Sequence, residues 1–118
     1  MARQPGAQPL CLVQVNVAGE DSKSGLGPGE LDGFLGKVAA CEGVRVGGLM
    51  TIAPYTDDPA QVRWVFRRLR ELRDAARLRF PQLGLDHLSM GMSGDYEVAV
   101  EEGATMVRIG TAIFGPRH

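Results

Sequence analysis

Residues 87–115, HLSMGMSGDYEVAVEEGATMVRIGTAIFG, contain two short apolar runs that each end in a glycine-containing turn. The first turn, GMSG at residues 91–94, opens into a helical pattern, and the second, GT at residues 110–111, follows a short run that carries Arg108. A turn that leads from a strand into a helix exposes backbone N–H groups, and the helix dipole favours an anion there. The stretch therefore predicts two strands whose neighbouring turns could together bind a phosphate.

The composition is that of one small globular domain. The chain has 118 residues, of which 44% are hydrophobic and 23% charged, and its formal net charge is −1. A nearly neutral chain exerts no global attraction on nucleic acid or on an anionic membrane, so neither is an expected partner. No apolar run reaches the roughly 18 residues of a membrane helix. We expect a cytoplasmic protein with a flexible leader at residues 1–9, which lack the apolar stretch of a secretory signal, and one domain at residues 10–118.

Apolar runs alternate with amphipathic helix patterns along the chain. Continuous apolar and β-branched runs predict four strands, at residues 10–17, 44–52, 84–90 and 105–109. Apolar residues at helical spacing predict three helices, from Leu31 to about Val38, from Pro59 to Arg79 and from Gly94 to Glu102. The order β-α-β-α-β-α-β predicts an α/β fold with a parallel sheet and right-handed crossovers. It corresponds to half of a (β/α)8 TIM barrel, in which a phosphate often binds the loops after strands 7 and 8.

The ends of these elements carry their own signals. Asp58 suits the N-cap of the second helix, and Ser93 suits the N-cap of the third. The glycines of the second strand indicate a close approach between two backbones, and residues 112–118 are expected to form only a short tail. The first helix should bury one apolar face, which consists of Leu31, Phe34, Leu35 and Val38.

The second helix carries seven arginines, namely Arg63, Arg67, Arg68, Arg70, Arg73, Arg77 and Arg79. One interpretation is a face for nucleic acid or for an acidic partner. The other is a solvated outer face that pairs in part with Glu71 and Asp74. We favour the solvated face because no aromatic residues interleave the arginines and the rest of the chain is acidic.

Few residues form a pattern typical of catalysis. The two cysteines, Cys11 and Cys41, lack the spacing of metal ligands, and we expect buried or idle thiols. His87 follows Asp86 directly on a predicted strand, so the two side chains point to opposite faces and cannot act as a pair. A structural role is therefore expected for His87.

Longer stretches resemble a known family. SMGMSGDYEVAVEEGATMVRIGTAIFG closely resembles the C-terminal signature of the pyridoxal phosphate homeostasis proteins, the YggS/PROSC-like family, and QVNVAGEDSKSG and GLMTI resemble its preceding strands and loops. The resemblance covers about residues 10–117. It implies the C-terminal half of a (β/α)8 barrel like the N-terminal domain of alanine racemase. It also implies binding of pyridoxal 5′-phosphate (PLP), a part in vitamin B6 homeostasis, and no established enzymatic turnover.

The resemblance also implies a cofactor site. Ser93, Gly110 and Thr111 match the phosphate-binding positions, Arg108 matches the arginine that faces the pyridine nitrogen, and Met50 and Met90 would line the ring pocket. A dianionic phosphate suits a hydroxyl together with backbone N–H groups at the start of a helix. An arginine stays protonated, so it keeps the pyridine nitrogen unprotonated and weakens PLP as an electron sink. The resemblance therefore implies that PLP is bound without efficient catalysis of the reactions that depend on an electron sink.

The lysines depart from the family pattern. The family's Schiff-base lysine lies on an early strand of the other half-barrel, and no position of this chain matches it. Lys37 lies on the polar side of the first helix, and Lys23 lies in the loop after the first strand, where it could reach a bound aldehyde but is better interpreted as a surface residue. We expect a truncated form that keeps the phosphate site without the covalent anchor. Because a half-barrel exposes strand edges, it should dimerise, pair with a missing half-barrel, or be marginally stable.

Two other functions stay open. A PLP-dependent enzyme of the alanine racemase type would need a lysine and usually a tyrosine as opposing bases, and this chain offers only Tyr55 and Tyr96 as tyrosines. A phosphate-ligand binding half-barrel could instead hold another small molecule.

Overall fold

The computed structural model describes residues 10–19, 25–41, 45–109 and 112–114. The expectations for the leader at residues 1–9, for Lys23 and for the turn of Gly110 and Thr111 lie outside these residues. The described strands are β1 (Leu10–Gln14), β2 (Arg45–Met50), β3 (His87–Ser89), β4 (Val107–Ile109) and β5 (Ala112–Phe114). The described α-helices are α1 (Leu31–Ala39), α2 (Arg63–Arg79) and α3 (Tyr96–Glu101).

The first three strands form one parallel sheet in the order β1-β2-β3. The chain entering β4 continues this arrangement, because Met106 forms a parallel bridge with Ser89 and accepts a 3.1 Å hydrogen bond from the backbone N–H of Met90. The predicted parallel order is therefore confirmed. The expected close approach is found at Gly48, where a Cβ atom would lie 1.9 Å from the carbonyl oxygen of His87.

Residues 112–114 form a strand, so the expectation of a tail from residue 112 onward was wrong. β5 pairs antiparallel with β4, and Val107 lies opposite Phe114 while Ile109 lies opposite Ala112. The run Ala-Ile-Phe contains the β-branched and aromatic residues that suit strands. It is too short to show a period of its own, and its pairing with β4 gives it strand structure.

The core lies between the sheet and the helices, and its largest fully buried side chains include Val15, Leu31, Leu35, Val46, Leu49, Val65, Phe66, Leu69 and Leu88. The expected face of α1 is confirmed in part, since Val38 also packs against this core. Phe34 is the exception, because 40% of its surface is exposed. The apolar face of α1 is thus wider than the area that the described residues cover.

One of the two predicted N-caps, Asp58, is found in the structure, and the other, Ser93, is not. Asp58 acts as the expected cap, because its Oδ1 accepts a 3.1 Å hydrogen bond from the N–H of Ala60 where the chain enters α2 through a 3₁₀ turn. The third helix is shorter than expected, and its N-cap is Asp95 rather than Ser93. Oδ1 of Asp95 accepts a 2.6 Å hydrogen bond from the N–H of Met92. This bond closes a tight turn that contains Ser93, so the helix begins later, at Tyr96.

Three arginines of α2 converge on one carboxylate. Glu102, only 6% exposed, accepts a 2.8 Å hydrogen bond from Nη1 of Arg63. Arg67 and Arg70 lie 3.4 and 3.6 Å from the same carboxylate. The hydrogen bond from Arg63, helped by Arg67 and Arg70, lowers the pKa of Glu102 below its ordinary value, although burial acts in the opposite direction. The cluster fixes the end of α3 to α2.

Two further arginines bind the chain before β3. Arg77 donates from Nε to the carbonyl oxygen of Gly84 and from Nη2 to that of Leu85, over 3.2 and 3.1 Å. Arg73 donates from Nη1 to the carbonyl oxygens of Leu85 and Asp86. The expected pairs with Glu71 and Asp74 are also present, at 3.9 and 2.8 Å. The arginine face of α2 therefore makes more contacts within the molecule than a solvated face would.

Candidate functional site

A small cleft lies at the carboxyl ends of β2 and β3 and beside β4. It is lined by Met50, Thr51, Ile52, Ser89, Met90, Gly91, Met92 and Arg108. The fold thus brings together three of the six residues that the resemblance implies, namely Met50, Met90 and Arg108. The carboxyl ends of the strands are also where ligands bind in barrels of this type.

Hydrogen bonds between the strand ends form the floor of this cleft. The backbone N–H of Thr51 donates to the carbonyl oxygen of Ser89 over 3.1 Å, and the N–H of Val15 donates to that of Met50 over 2.8 Å. The buried hydroxyl of Thr51 donates to the carbonyl oxygen of Val15 over 2.7 Å. Sequence reasoning missed Thr51, although a polar residue directly after an apolar strand is a signal for such a contact.

Arg108 is the cation of the cleft. Its backbone N–H donates to the carbonyl oxygen of Gly91 over 2.8 Å, which ties β4 to the turn after β3. Its side chain is half-buried, and no carboxylate of the described residues lies within 4.0 Å of its guanidinium. Every arginine of α2, by contrast, has an acidic or carbonyl partner. Within the described part of the molecule, the charge of Arg108 is therefore available for a ligand.

The two methionines take different positions. Leu49 and Leu88 are fully buried in the core, so the alternation of side chains along a strand places Met50 and Ser89 on the opposite, inner face of the sheet. Met50 is half-buried there and lies opposite Ser89 of β3, a residue that the sequence analysis did not single out. Met90 is only 2% exposed and belongs to the core, so it contributes mainly packing beneath the cleft.

The residues implied for the phosphate are not gathered in this cleft. Ser93 lines a separate hollow together with Pro59, Asp95 and Tyr96. Gly110 and Thr111 lie outside the described residues. Because α3 has six residues, its dipole contributes little, and the N–H of Met92 already donates to Asp95.

A glycine sets the distance between α3 and the cleft. Gly91 has a φ of +105°, a conformation that residues with a Cβ rarely adopt. A Cβ atom at this position would lie 2.7 Å from the Cβ of Ala99. The close packing of α3 against the turn after β3 therefore requires glycine at this position.

The remaining reactive groups lie away from the cleft. Nδ1 of His87 lies 3.4 Å from Oγ1 of Thr105, which also accepts the N–H of Leu88, and this agrees with a structural role. Cys11 and Cys41 are both exposed, so of the two alternatives expected for these thiols, buried or idle, burial was wrong. No cluster of potential metal ligands occurs among the residues described. Nor does any helix in that part of the chain have the length and apolarity to cross a membrane.

Comparisons with known proteins agree with this architecture. The family model for the alanine racemase N-terminal domain matches residues 1–118. The pyridoxal phosphate homeostasis protein of Aquifex aeolicus is 52% identical over 106 residues, which cover 90% of this chain and 46% of that protein. The protein of the same name from Pseudomonas aeruginosa is 50% identical over 117 residues, which cover 98% of this chain and 48% of that protein.

Comparison with solved structures also shows similarity to proteins of about twice this length. PipY of Synechococcus elongatus is 36% identical to this chain and superposes with a TM-score of 0.82 without PLP and 0.79 with PLP bound. Both superpositions cover 91% of this chain, and they cover 50% and 49% of the PipY chain. This confirms the expected fold, a parallel α/β half of a (β/α)8 barrel. The chain spans about half the length of the relatives it matches.

Proposed function

We propose that this chain, which belongs to the alanine racemase N-terminal domain family, binds PLP and takes part in PLP homeostasis without enzymatic turnover. The observation that carries the proposal is Arg108, a half-buried cation that lies beside Met50 in the cleft and has no carboxylate partner among the described residues. The names of the relatives and the PLP-bound structure of PipY support it.

The residues of the cleft are chemically suited to the aromatic part of PLP, and because the enclosed volume there is only about 10 Å³, the ring would lie over the cleft rather than inside it. Arg108 would face the pyridine nitrogen, and Met50 would pack against the ring, with Met90 beneath it. The phosphate would be held by Ser93, Gly110 and Thr111. The hollow at Ser93 and the residues that follow β4 would therefore have to contact the same phosphate. When bound, PLP supplies an aldehyde and a conjugated ring. The permanent charge of Arg108 keeps the ring nitrogen unprotonated, which disfavours carbanion chemistry.

Of the two lysines of this chain, only Lys37 is among the described residues, and its position favours non-covalent binding. Lys37 is exposed on α1, away from the cleft. We propose that the covalent anchor is supplied by a complementary half-barrel. The chain would then contribute the phosphate and pyridine contacts alone.

A racemase function has less support. The hydroxyl of Tyr55 donates to Asp57 over 2.9 Å in an exposed loop, and 91% of the Tyr55 surface is exposed. Tyr96 lines the hollow at Ser93 instead of the cleft. Neither tyrosine is placed to act as a base opposite a ligand beside Arg108.

Equilibrium dialysis with PLP, pyridoxal and inorganic phosphate tests the proposal. The proposal predicts saturable binding, with PLP preferred over pyridoxal and over inorganic phosphate. Two further assays should be negative. Borohydride reduction and peptide mapping should show no adduct on Lys37, and alanine should not be racemised. Binding of phosphate with no preference for PLP would favour a different phosphate ligand. Racemisation of alanine would overturn the non-enzymatic assignment.

A further inference from the structure

We infer that the outer face of α2 is a self-complementary surface through which two copies of this chain pair by antiparallel helices. A line of exposed residues runs along this face, and we call it the outer seam; it consists of Trp64, Arg68, Glu71, Ala75 and Leu78. Successive members lie alternately four and three residues apart, so they share one side of a helix with 3.6 residues per turn. The same spacing marks the seam along which helices pack in a coiled coil.

Large apolar side chains stand at both ends of the outer seam. Trp64 is 53% exposed and Leu78 is 85% exposed. The opposite side of α2 is already buried in the core through Val65, Phe66 and Leu69. A helix face that remains in water carries mainly charged and polar residues. A tryptophan and a leucine in one line on that face therefore indicate a contact beyond the described part of the chain.

The charges between these ends favour a second copy in the antiparallel direction. Glu71 lies midway along the outer seam, so a two-fold axis beside it brings Trp64 of one copy to Leu78 of the other. The same axis places Arg68 of one copy near Glu71 and the small side chain of Ala75 of the other. The two Glu71 carboxylates then lie between two Arg68 guanidiniums. A parallel copy would instead set arginine against arginine and glutamate against glutamate, which is unfavourable.

Nucleic acid suits this face less well. Most arginines of α2 already donate to carboxylate or carbonyl oxygens of the chain itself, namely Arg63, Arg67, Arg70, Arg73 and Arg77. Arg68, the one arginine of the outer seam, makes a 3.9 Å contact with Glu71. A phosphate backbone needs a row of available cations. The outer seam offers apolar side chains and charges of both signs, which match a copy of itself.

The size of the surface predicts weak association. α2 has 17 residues and is therefore about 25 Å long. A pair of such helices buries less than the roughly 1,600 Å² of a standard protein interface. We expect a dissociation constant on the order of 10–100 µM for the dimer.

Sedimentation of the full chain over a concentration range that brackets this constant tests the inference. Trp64 is the single tryptophan of the chain, so its fluorescence should shift to shorter wavelength as the dimer forms. Leu78→Ser should weaken the dimer about tenfold or more, because it removes the apolar partner of Trp64 at both ends of the contact. Tyr55→Ser is the control, since it changes a residue that is 91% exposed and lies outside the outer seam. It should leave association unchanged.

Two charge variants test the antiparallel geometry. Arg68→Glu and Glu71→Arg each bring like charges together, so each alone should dimerise at least about tenfold more weakly than the wild type. An equal mixture should associate about as tightly as the wild type, because the new carboxylate of one variant meets the new guanidinium of the other. The side chains of Arg68 and Glu71 are 49% and 56% exposed, so neither variant removes a core contact.

Three results would overturn the inference. The chain could stay monomeric at every concentration, or it could form a dimer that Leu78→Ser does not weaken, as a dimer joined through strand edges would. The mixture of charge variants could also associate no more tightly than each variant alone. Because every readout is association, the outcome does not depend on whether the chain binds PLP.

Discussion

Nη1 of Arg63 donates a 2.8 Å hydrogen bond to Oε2 of Glu102, and this contact joins α2 to the end of α3 across 39 positions of the sequence. Arg63 also contacts Glu101 at 2.5 Å. α3 is only six residues long and too short to be stable alone. Its position beside the cleft therefore depends on such tertiary contacts.

Glu102→Gln should lower the free energy of unfolding at neutral pH by about 1 kcal/mol, because it removes a charged partner from arginines that are themselves partly exposed. The pKa of Glu102 is lowered in the folded state, so its contribution is present above the ordinary glutamate value of 4.5 and is lost as the pH falls through the folded value. Urea denaturation at pH 7 and at pH 3 would measure both effects.

The control for Glu102→Gln is Glu71→Gln, at an exposed residue that makes one 3.9 Å contact with Arg68. It should change the unfolding free energy little. An equal loss in both variants, or a loss in Glu102→Gln that is the same at pH 3 as at pH 7, would contradict the importance of the cluster.

Gly91→Ala should destabilise the fold by about 1–3 kcal/mol, because its φ of +105° is strained for alanine and the new methyl group would meet Ala99. Gly94→Ala is the matched control in the same turn, since nothing lies within 4 Å of its Cβ position. Thermal melts followed by circular dichroism compare the two. Similar melting temperatures for both variants would show that α3 is not packed as closely as described.

Thr51→Val should cost about 1 kcal/mol, because the hydrogen bond from its buried hydroxyl to Val15 would be lost and the carbonyl group left without that partner. Thr51→Ser keeps the hydroxyl and should recover part of the stability. Denaturant midpoints give the comparison. If the valine variant is as stable as the wild type and the serine variant is less stable, packing rather than hydrogen bonding holds this position.

Gly33→Ala should stabilise the protein by about 0.5–1 kcal/mol, because Gly33 lies within α1 and a methyl group there meets no atom within 4 Å. The same denaturation assay measures the gain. A loss of stability would mean that this side of α1 is covered in solution.

The sequence was sufficient to predict the order of elements from β1 to β4 and the parallel sheet, but not β5. Alternating apolar runs and helical periodicity carry this information locally. Asp58 with Pro59 marked the start of the 3₁₀ turn at Pro59–Val62, and the α-helix itself begins four residues later than predicted, at Arg63. The same pattern placed Met50 and Arg108 on strands, although β2 ends at Met50, two residues earlier than predicted. The family resemblance then gave these positions a chemical meaning that the pattern alone does not contain.

The contacts that could not be predicted from the sequence are those between residues that lie far apart along the chain. Nothing near Arg63 in the chain indicates that its partner is Glu102. The cap of α3 was assigned to Ser93 because serine is a good cap, but the turn that Asp95 closes with Met92 places Asp95 at the N-cap position, where its side chain makes no capping hydrogen bond to the helix. The exposure of Phe34 could not be predicted either, since periodicity shows which face is apolar but not whether anything covers it.

The role of Arg108 in cofactor binding is measured by isothermal titration calorimetry of PLP into the wild type and into Arg108→Ala. Arg68→Ala is the control, since it removes an arginine that lies on α2 and does not line the cleft. Loss of the Arg108 charge should weaken PLP binding about tenfold, in line with the value of a charged hydrogen bond, while Arg68→Ala should bind like the wild type. Equal affinities for Arg108→Ala and the wild type would contradict the placement of the cofactor in this cleft.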